Sequence, residues 1–194
     1  MSKIKTVGIV GTGVIGTGWI IRNLAHNKIV HAYDQNKNLK SYVLKEIRRT
    51  SKSIKKLFGK KILIKNLKFF NSLEEALVNV DFVQESVLEN YKVKTDLIQK
   101  ISKYVKSDII ISSSSSGLLP SKIFSKSKNP QRGIIGHPFN PAYLLPAVEI
   151  VPGKKTTKKF LLDANKYYKS ISMKPIMLKK ELPGYLSDRL QEAL

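Results

Sequence analysis

Cysteine is absent from the 194 residues, so neither a disulfide framework nor thiol chemistry is available, and a reducing cytoplasm is the natural setting. Histidine is scarce, with three copies at 26, 31 and 137, which leaves imidazole chemistry few places to sit. Acidic residues are also few, 14 against 35 basic ones, for a formal charge of +21. Thirty of the 35 are lysine, and the densest cluster, Lys52, Lys55, Lys56, Lys60, Lys61 and Lys65, has only Phe58 as an aromatic neighbour. A nucleic-acid surface would interleave arginine and stacking aromatics, so the lysines read as solvated faces and no nucleic-acid partner is expected. No uninterrupted apolar run approaches the ~18 residues that span a bilayer, so no membrane partner is expected. Thr6 to Ile21 after Lys3 and Lys5 mimics a signal peptide, but it carries glycines at regular spacing and no clear cleavage pattern follows. The length fits one domain, or one domain plus a fragment of another. No metal site is expected.

What is present begins with Val7 to Gly16, VGIVGTGVIG, an apolar strand-like run that delivers Gly-x-Gly-x-x-Gly into an apolar helical pattern. Gly11 permits a tight turn, Gly13 lets a pyrophosphate approach the backbone, and Gly16 lets the helix pack closely on the strand. The free N–H groups of the helix start favour phosphate. The loop Gly11, Thr12, Gly13, Val14, Ile15, Gly16 is therefore the expected cofactor-binding segment. A second apolar run, Ile29 to Tyr33, ends at Asp34, 18 residues after Gly16, close to the ~20 expected of the acidic residue that binds adenosine ribose hydroxyls. A carboxylate there repels a 2′-phosphate, so the expected cofactor is NAD rather than NADP.

Strand-like and helical segments alternate. Val7 to Val10, Ile29 to Tyr33, Asp81 to Gln84, Asp108 to Ile111, Gly133 to Gly136, Ala147 to Val151 and Pro175 to Leu178 read as buried strands. Val14 to His26, Asn38 to Leu57, Ser72 to Asn79, Asn90 to Lys106 and Thr156 to Lys169 read as helices, with Ser72 and Glu75 as a capping box. The alternation predicts an α/β fold, a Rossmann-type doubly wound and mostly parallel sheet, with ligands beyond the carboxyl ends of its strands. After Pro183 and Gly184, the stretch Tyr185 to Leu194 places Leu186, Leu190 and Leu194 at helical spacing as a bare apolar stripe. The expected organisation is a dinucleotide-binding domain over 1–182, with 183–194 as the first helix of a C-terminal helical domain that is otherwise missing.

His26 falls in a helix and His31 within a strand, where packing or surface roles suffice. His137 follows a strand and opens His137-Pro138-Phe139-Asn140-Pro141, in which two prolines stiffen the loop that carries the imidazole and the Asn140 amide. Glu149 stands alone in the apolar run Ala147 to Val151. A buried carboxylate needs a partner, and His137 is an obvious one, because a carboxylate on one ring nitrogen fixes the tautomer and raises the basicity of the other. An edge strand with Glu149 facing solvent is the competing reading from spacing alone.

GTGVIG, then QESVLENYKVK at Gln84 to Lys94, SSSGLLP at Ser114 to Pro120, GHPFNPAYLLPAVEIVPG at Gly136 to Gly153 and PGYLSDRLQEAL at Pro183 to Leu194 together resemble the 3-hydroxyacyl-CoA dehydrogenase superfamily over essentially the whole chain. The resemblance implies a catalytic pair at His137 and Glu149, with Ser116 and Asn140 bonding substrate and nicotinamide. It also implies NAD contacts at Glu89 and Lys94. Within the superfamily, the serine run, the HPFNP segment and Asp188 look most like the branch acting on L-carnitine. Asp188 stands where acyl-CoA members place Asn, and the segment between Asp34 and Asp81 is shorter than the hairpin with which they hold CoA.

The expected function is therefore NAD-dependent oxidation of a 3-hydroxy acid, L-carnitine first and a 3-hydroxyacyl-CoA such as 3-hydroxybutyryl-CoA as the alternative. The family's C-terminal domain implies a homodimer where it is present. A cofactor-binding module without catalysis would have no need of His137 and Glu149, and a cationic nucleic-acid binder would have more arginine.

Overall fold

The computed structural model describes residues 4–59 and 61–194, so Lys3 and Lys60 of the sequence reading lie outside the described residues. The apolar runs fold as strands. In chain order these are β1 (Thr6–Val10), β2 (Ile29–Tyr33), β3 (Leu67–Phe69), β4 (Phe82–Glu85), β5 (Ile110–Ser113), β6 (Gly133–Pro138), β7 (Ala147–Pro152) and β8 (Lys174–Met177). They form one sheet in the order β3-β2-β1-β4-β5-β6-β7-β8, parallel throughout except for the antiparallel β6–β7 pair. The order turns around between β1 and β4. Loops diverge there at the carboxyl edge, and such a crevice is where doubly wound sheets take ligands.

Among the described residues there are seven α-helices: α1 (Val14–Ala25), α2 (Leu39–Phe58), α3 (Leu73–Leu77), α4 (Tyr91–Tyr104), α5 (Pro120–Ile123), α6 (Lys158–Ser170) and α7 (Ser187–Glu192). Successive strand side chains point to opposite faces, so Val7, Ile9, Phe82, Ile110 and Ile134 join a core with α1, α2 and α6. Val10, Val83, Ile111, Ile135 and Val151 join a second core with α3, α4 and α5. Each such side chain removed from water contributes roughly 1.5–3 kcal/mol. Lys52, Lys55 and Lys56 lie on the exposed face of α2, whose buried side is Val43, Ile47, Thr50 and Ile54. Among the described residues no helix is long and apolar enough to cross a membrane.

Several boundaries differ from the sequence reading. β3 was not expected, because three residues with a lysine at their centre give no periodic signal. β4 reaches Glu85 and β5 reaches Ser113, since these polar side chains are buried and satisfied inside the sheet. α3 stops at Leu77, where Val78 is extended and Asn79 takes φ 55°. The final helix begins at Ser187 rather than Tyr185, because Tyr185 itself turns at φ 44° and is wholly buried in the second core.

Candidate active site

The glycine loop joins β1 to α1 at the point where the sheet order turns. Gly11 sits at φ 88°, where a side chain is strained, and its N–H donates to the Tyr33 carbonyl at 2.9 Å. Gly13 caps α1 without a side-chain bond, and a Cβ there would meet nothing within 4 Å. That open space fits a pyrophosphate approaching the backbone. Thr12 binds the loop to Asp34: its N–H donates to Asp34 Oδ2 at 2.6 Å, while Asn36 N–H takes Oδ1 at 2.8 Å. Val14 is exposed at the loop tip, and Ile15 packs against the first core. A cleft of about 810 Å³ opens alongside, lined by Gly11, Gly13, Tyr33, Asp34, Ser86 and Val87 among others. The residues present thus fit a dinucleotide.

His137 and Glu149 are cross-strand partners in the β6–β7 ladder, and His137 Nδ1 lies 2.9 Å from Glu149 Oε2. The carboxylate is 1% exposed, which disposes of the solvent-facing reading. Burial pushes the Glu149 carboxyl up, but donors from His137, Ser187 and the Leu186 backbone outweigh it and hold it below its ordinary value. A carboxylate can only accept, so the neutral imidazole carries its proton on Nδ1 and leaves Nε2 free; this tautomer follows from the hydrogen-bond partners.

Ser116 lies in the loop after β5. Its backbone N–H donates to Glu89 Oε1 at 3.0 Å, the Gly117 N–H does so at 3.2 Å, and the Ser115 hydroxyl bonds the same oxygen. Glu89 is the hub that shapes this serine loop. Burial pushes its carboxyl up, yet the Ser115 bond, the Lys94 charge and the loop N–H groups carry it below the ordinary value. Lys94, 1% exposed, has its ammonium 2.8 Å from Glu85 Oε1 and 3.5 Å from Glu89 Oε2. It acts from inside, by holding Glu89. Glu85 also accepts from Val87 N–H at 2.6 Å and the Ser113 hydroxyl at 2.5 Å, which makes it a buried keystone between β4, β5 and α4.

Asn140 is exposed, at a cis peptide to Pro141, in the loop between β6 and β7. That loop is clamped to α1 by Arg22, whose guanidinium donates to the Ala142 carbonyl at 3.0 Å and the Leu145 carbonyl at 2.9 Å. Burial pushes the Arg22 guanidinium down to about 10, which still leaves it charged at neutral pH. Phe139 places its ring 6.2 Å from the His137 ring, whereas the Tyr143 hydroxyl faces Arg49 of α2 at 3.4 Å. The structure therefore gathers His137, Glu149 and Phe139 closely and ties Ser116 to Glu89 and Lys94. Glu85, Arg22, Tyr185 and Ser187 were missed. For Glu85, a polar pair, Gln84-Glu85, closing an apolar strand was the available signal.

A doubly wound sheet with an open glycine loop, an acidic residue closing β2 and a histidine–glutamate rung beyond the switch point defines the dinucleotide-binding domain of a dehydrogenase-type fold. Residues 6–182 match the family described as "3-hydroxyacyl-CoA dehydrogenase, NAD binding domain". The chain belongs to that family. It is 42% identical over 195 residues to an L-carnitine dehydrogenase of Pseudomonas putida, covering 100% of this chain and 61% of the relative. It is also 42% identical to an L-carnitine dehydrogenase of Oceanobacillus iheyensis, covering 98% of this chain and 62% of that one. The chain thus spans about three fifths of the length of these curated relatives. A crystal structure of 3-hydroxybutyryl-CoA dehydrogenase from Escherichia coli superposes with a TM-score of 0.89 at 24% identity, covering 97% of this chain and 40% of that chain, a likeness of fold.

Proposed function

We propose that this chain is the cofactor-binding and proton-transfer part of an NAD-dependent dehydrogenase that oxidises the hydroxyl of a 3-hydroxy acid, with L-carnitine as the acid. The observation that carries the reading is the 2.9 Å contact of His137 with a buried Glu149 on the carboxyl side of the sheet. When bound, the nicotinamide supplies the acceptor for hydride from the carbon bearing the hydroxyl. His137 Nε2 accepts the hydroxyl proton, and in the reverse direction returns it. Glu149 holds the ring in that tautomer and stabilises the imidazolium that forms. The loop Gly11 to Gly16 receives the pyrophosphate, Asp34 the adenosine ribose hydroxyls, and Glu89 with Lys94 sets the wall on which Ser116 lies. Ser116 and Asn140 are assigned to hydrogen bonds with substrate and nicotinamide.

L-carnitine is supported by the names of the relatives and by Phe139, whose ring face near His137 suits a quaternary ammonium. A cytoplasmic setting, a homodimer and the assignment of 183–194 to the first helix of a helical domain belong to the same reading. The exposed Leu186 and Leu190 support the last of these.

The test is NADH formation from L-carnitine and 3-hydroxybutyryl-CoA side by side. It is run with the chain alone and with the chain joined after Leu194 to the remaining length of the Pseudomonas putida relative. Turnover of carnitine is expected in the joined protein. Turnover of the CoA ester alone overturns the substrate, and turnover of neither overturns the reaction.

A further inference from the structure

The Glu149 carboxylate has four donors, and the imidazole is one of them. Oε2 accepts from His137 Nδ1 at 2.9 Å and from the Ser187 hydroxyl at 2.7 Å. Oε1 accepts from the backbone N–H of Leu186 at 2.9 Å and of Ser187 at 3.1 Å. Three of these donors come from two consecutive residues, 37 and 38 positions along the chain from Glu149 and beyond the segment that matches the family. The route that brings them back is a sharp turn, with Gly184 at φ 68° and Tyr185 at φ 44°. Tyr185 is buried, its ring lies 5.8 Å from the His137 ring, and its hydroxyl donates to the Leu118 carbonyl at 2.7 Å. The segment is therefore anchored at both cores of the site: the serine loop through Leu118 and the histidine rung through Glu149.

A serine hydroxyl has one proton, and the distances say where it goes. Ser187 Oγ is 2.7 Å from Glu149 Oε2 and 3.5 Å from His137 Nδ1, so it donates to the carboxylate. We propose that Ser187 is a positioning residue: its hydroxyl keeps the Glu149 carboxylate ionised and turned so that Oε2 holds the His137 Nδ1 proton and Nε2 remains the free base. Its purpose rests on the dehydrogenase reading, whereas its geometry stands without it. β8 offers Ile176 opposite Glu149 in the ladder, β6 offers His137, and the turn before α7 offers Tyr185, whose phenol burial pushes up, before Ser187 and Asp188 open α7.

The experiment uses the full chain and reads no turnover, so a failure of the dehydrogenase reading leaves its outcome intact and distinguishable. NMR follows the Glu149 side-chain carbon through an acid titration and the ring nitrogens of His137, with His26 and His31 assigned by substitution. Ser187→Val and Ser187→Thr have the same shape, and only threonine keeps the hydroxyl. Ser187→Val is expected to raise the Glu149 midpoint by about one pH unit, the scale of one hydrogen bond to a charged group, and to mix the two neutral tautomers of His137. Ser187→Thr is expected to match the native chain in both. The indole of Trp19, the single tryptophan, is buried with its N–H 3.0 Å from Ser114 Oγ and reports whether each variant is folded. Should the valine variant fail that check, Ser187→Ala takes its place against Ser187→Thr. Identical behaviour of the hydroxyl-bearing and hydroxyl-lacking variants overturns the proposal.

Discussion

A Cβ on Gly16 would stand 1.8 Å from the carbonyl oxygen of Gly11, so helix α1 and the turn before it are in backbone contact. Gly13 lies between them and would meet nothing. Two glycines of one loop are therefore there for opposite reasons: Gly16 closes a gap within the protein, and Gly13 leaves one open for a ligand.

Alanine at each position separates those reasons. Gly16→Ala must displace backbone and is expected to cost ~1–3 kcal/mol of stability along with cofactor affinity. Gly13→Ala is expected to keep the native melting temperature while NADH binding falls at least tenfold. Thermal melts and NADH fluorescence titration on both variants check this, and unaltered NADH affinity in Gly13→Ala would remove the pyrophosphate from that loop.

NADH is expected to bind more tightly than NADPH, because Asp34 faces the cleft with a charge. Asp34→Asn keeps an acceptor for the Thr12 N–H and removes the charge, and Asp34→Ala removes both. Both should narrow the gap between the cofactors, while alanine also loosens the loop. Parallel titrations with the two cofactors decide it; equal affinities in the native chain would contradict the role of Asp34.

Acid sensitivity follows from Glu149. Its folded pKa is lowered, so the unfolded chain binds the proton more readily, and the stability this group contributes is complete above the ordinary carboxylate value of about 4.3. It is lost as pH falls from there through the folded value. Glu149→Gln is expected to flatten that part of the acid-unfolding curve relative to the native chain. Superposable curves below pH 4.3 would mean that the carboxylate is not held ionised by the fold.

With the chain joined to the rest of a relative's length, His137→Ala is expected to cut turnover ~10²–10⁴-fold, the usual loss of a general base. NADH affinity should stay nearly unchanged. Steady-state rates and a binding titration give both numbers, and undiminished rates would remove His137 from the chemistry.

The order of elements was legible because strands of a parallel sheet, buried on both faces, read as unbroken apolar runs. Ser112 and Ser113 broke that signal. They look like the end of a run, yet Ser112 meets the Tyr168 hydroxyl at 2.8 Å and Ser113 the Glu85 carboxylate, so the strand continues. β3, with one exposed and two half-buried residues, had no pattern to show. In the site, a lone carboxylate in an apolar strand suggested His137 as the partner of Glu149, but spacing alone left a solvent-facing Glu149 equally open, and it was the resemblance carried by the HPFNP segment that favoured the pair. Ser187 and Tyr185 were not legible, since nothing in a local window tells a serine at the start of a helix that its hydroxyl will meet a strand 38 residues back. The turn at Tyr185 hid in the same way, inside a leucine spacing that suggested unbroken helix.

The His137–Glu149 rung and the Arg22 clamp share a property: one is aligned by backbone pairing of β6 with β7, and the other grips main-chain carbonyls. Neither contact depends on which side chains occupy the loop between the two strands. Phe139 and Leu144 hang there as replaceable parts on a fixed mount, whereas Tyr143 packs against the first core. Proton-transfer geometry and the ring offered to the acid thereby rest on different parts, so exchange of Phe139 would change which acid fits without retuning the base.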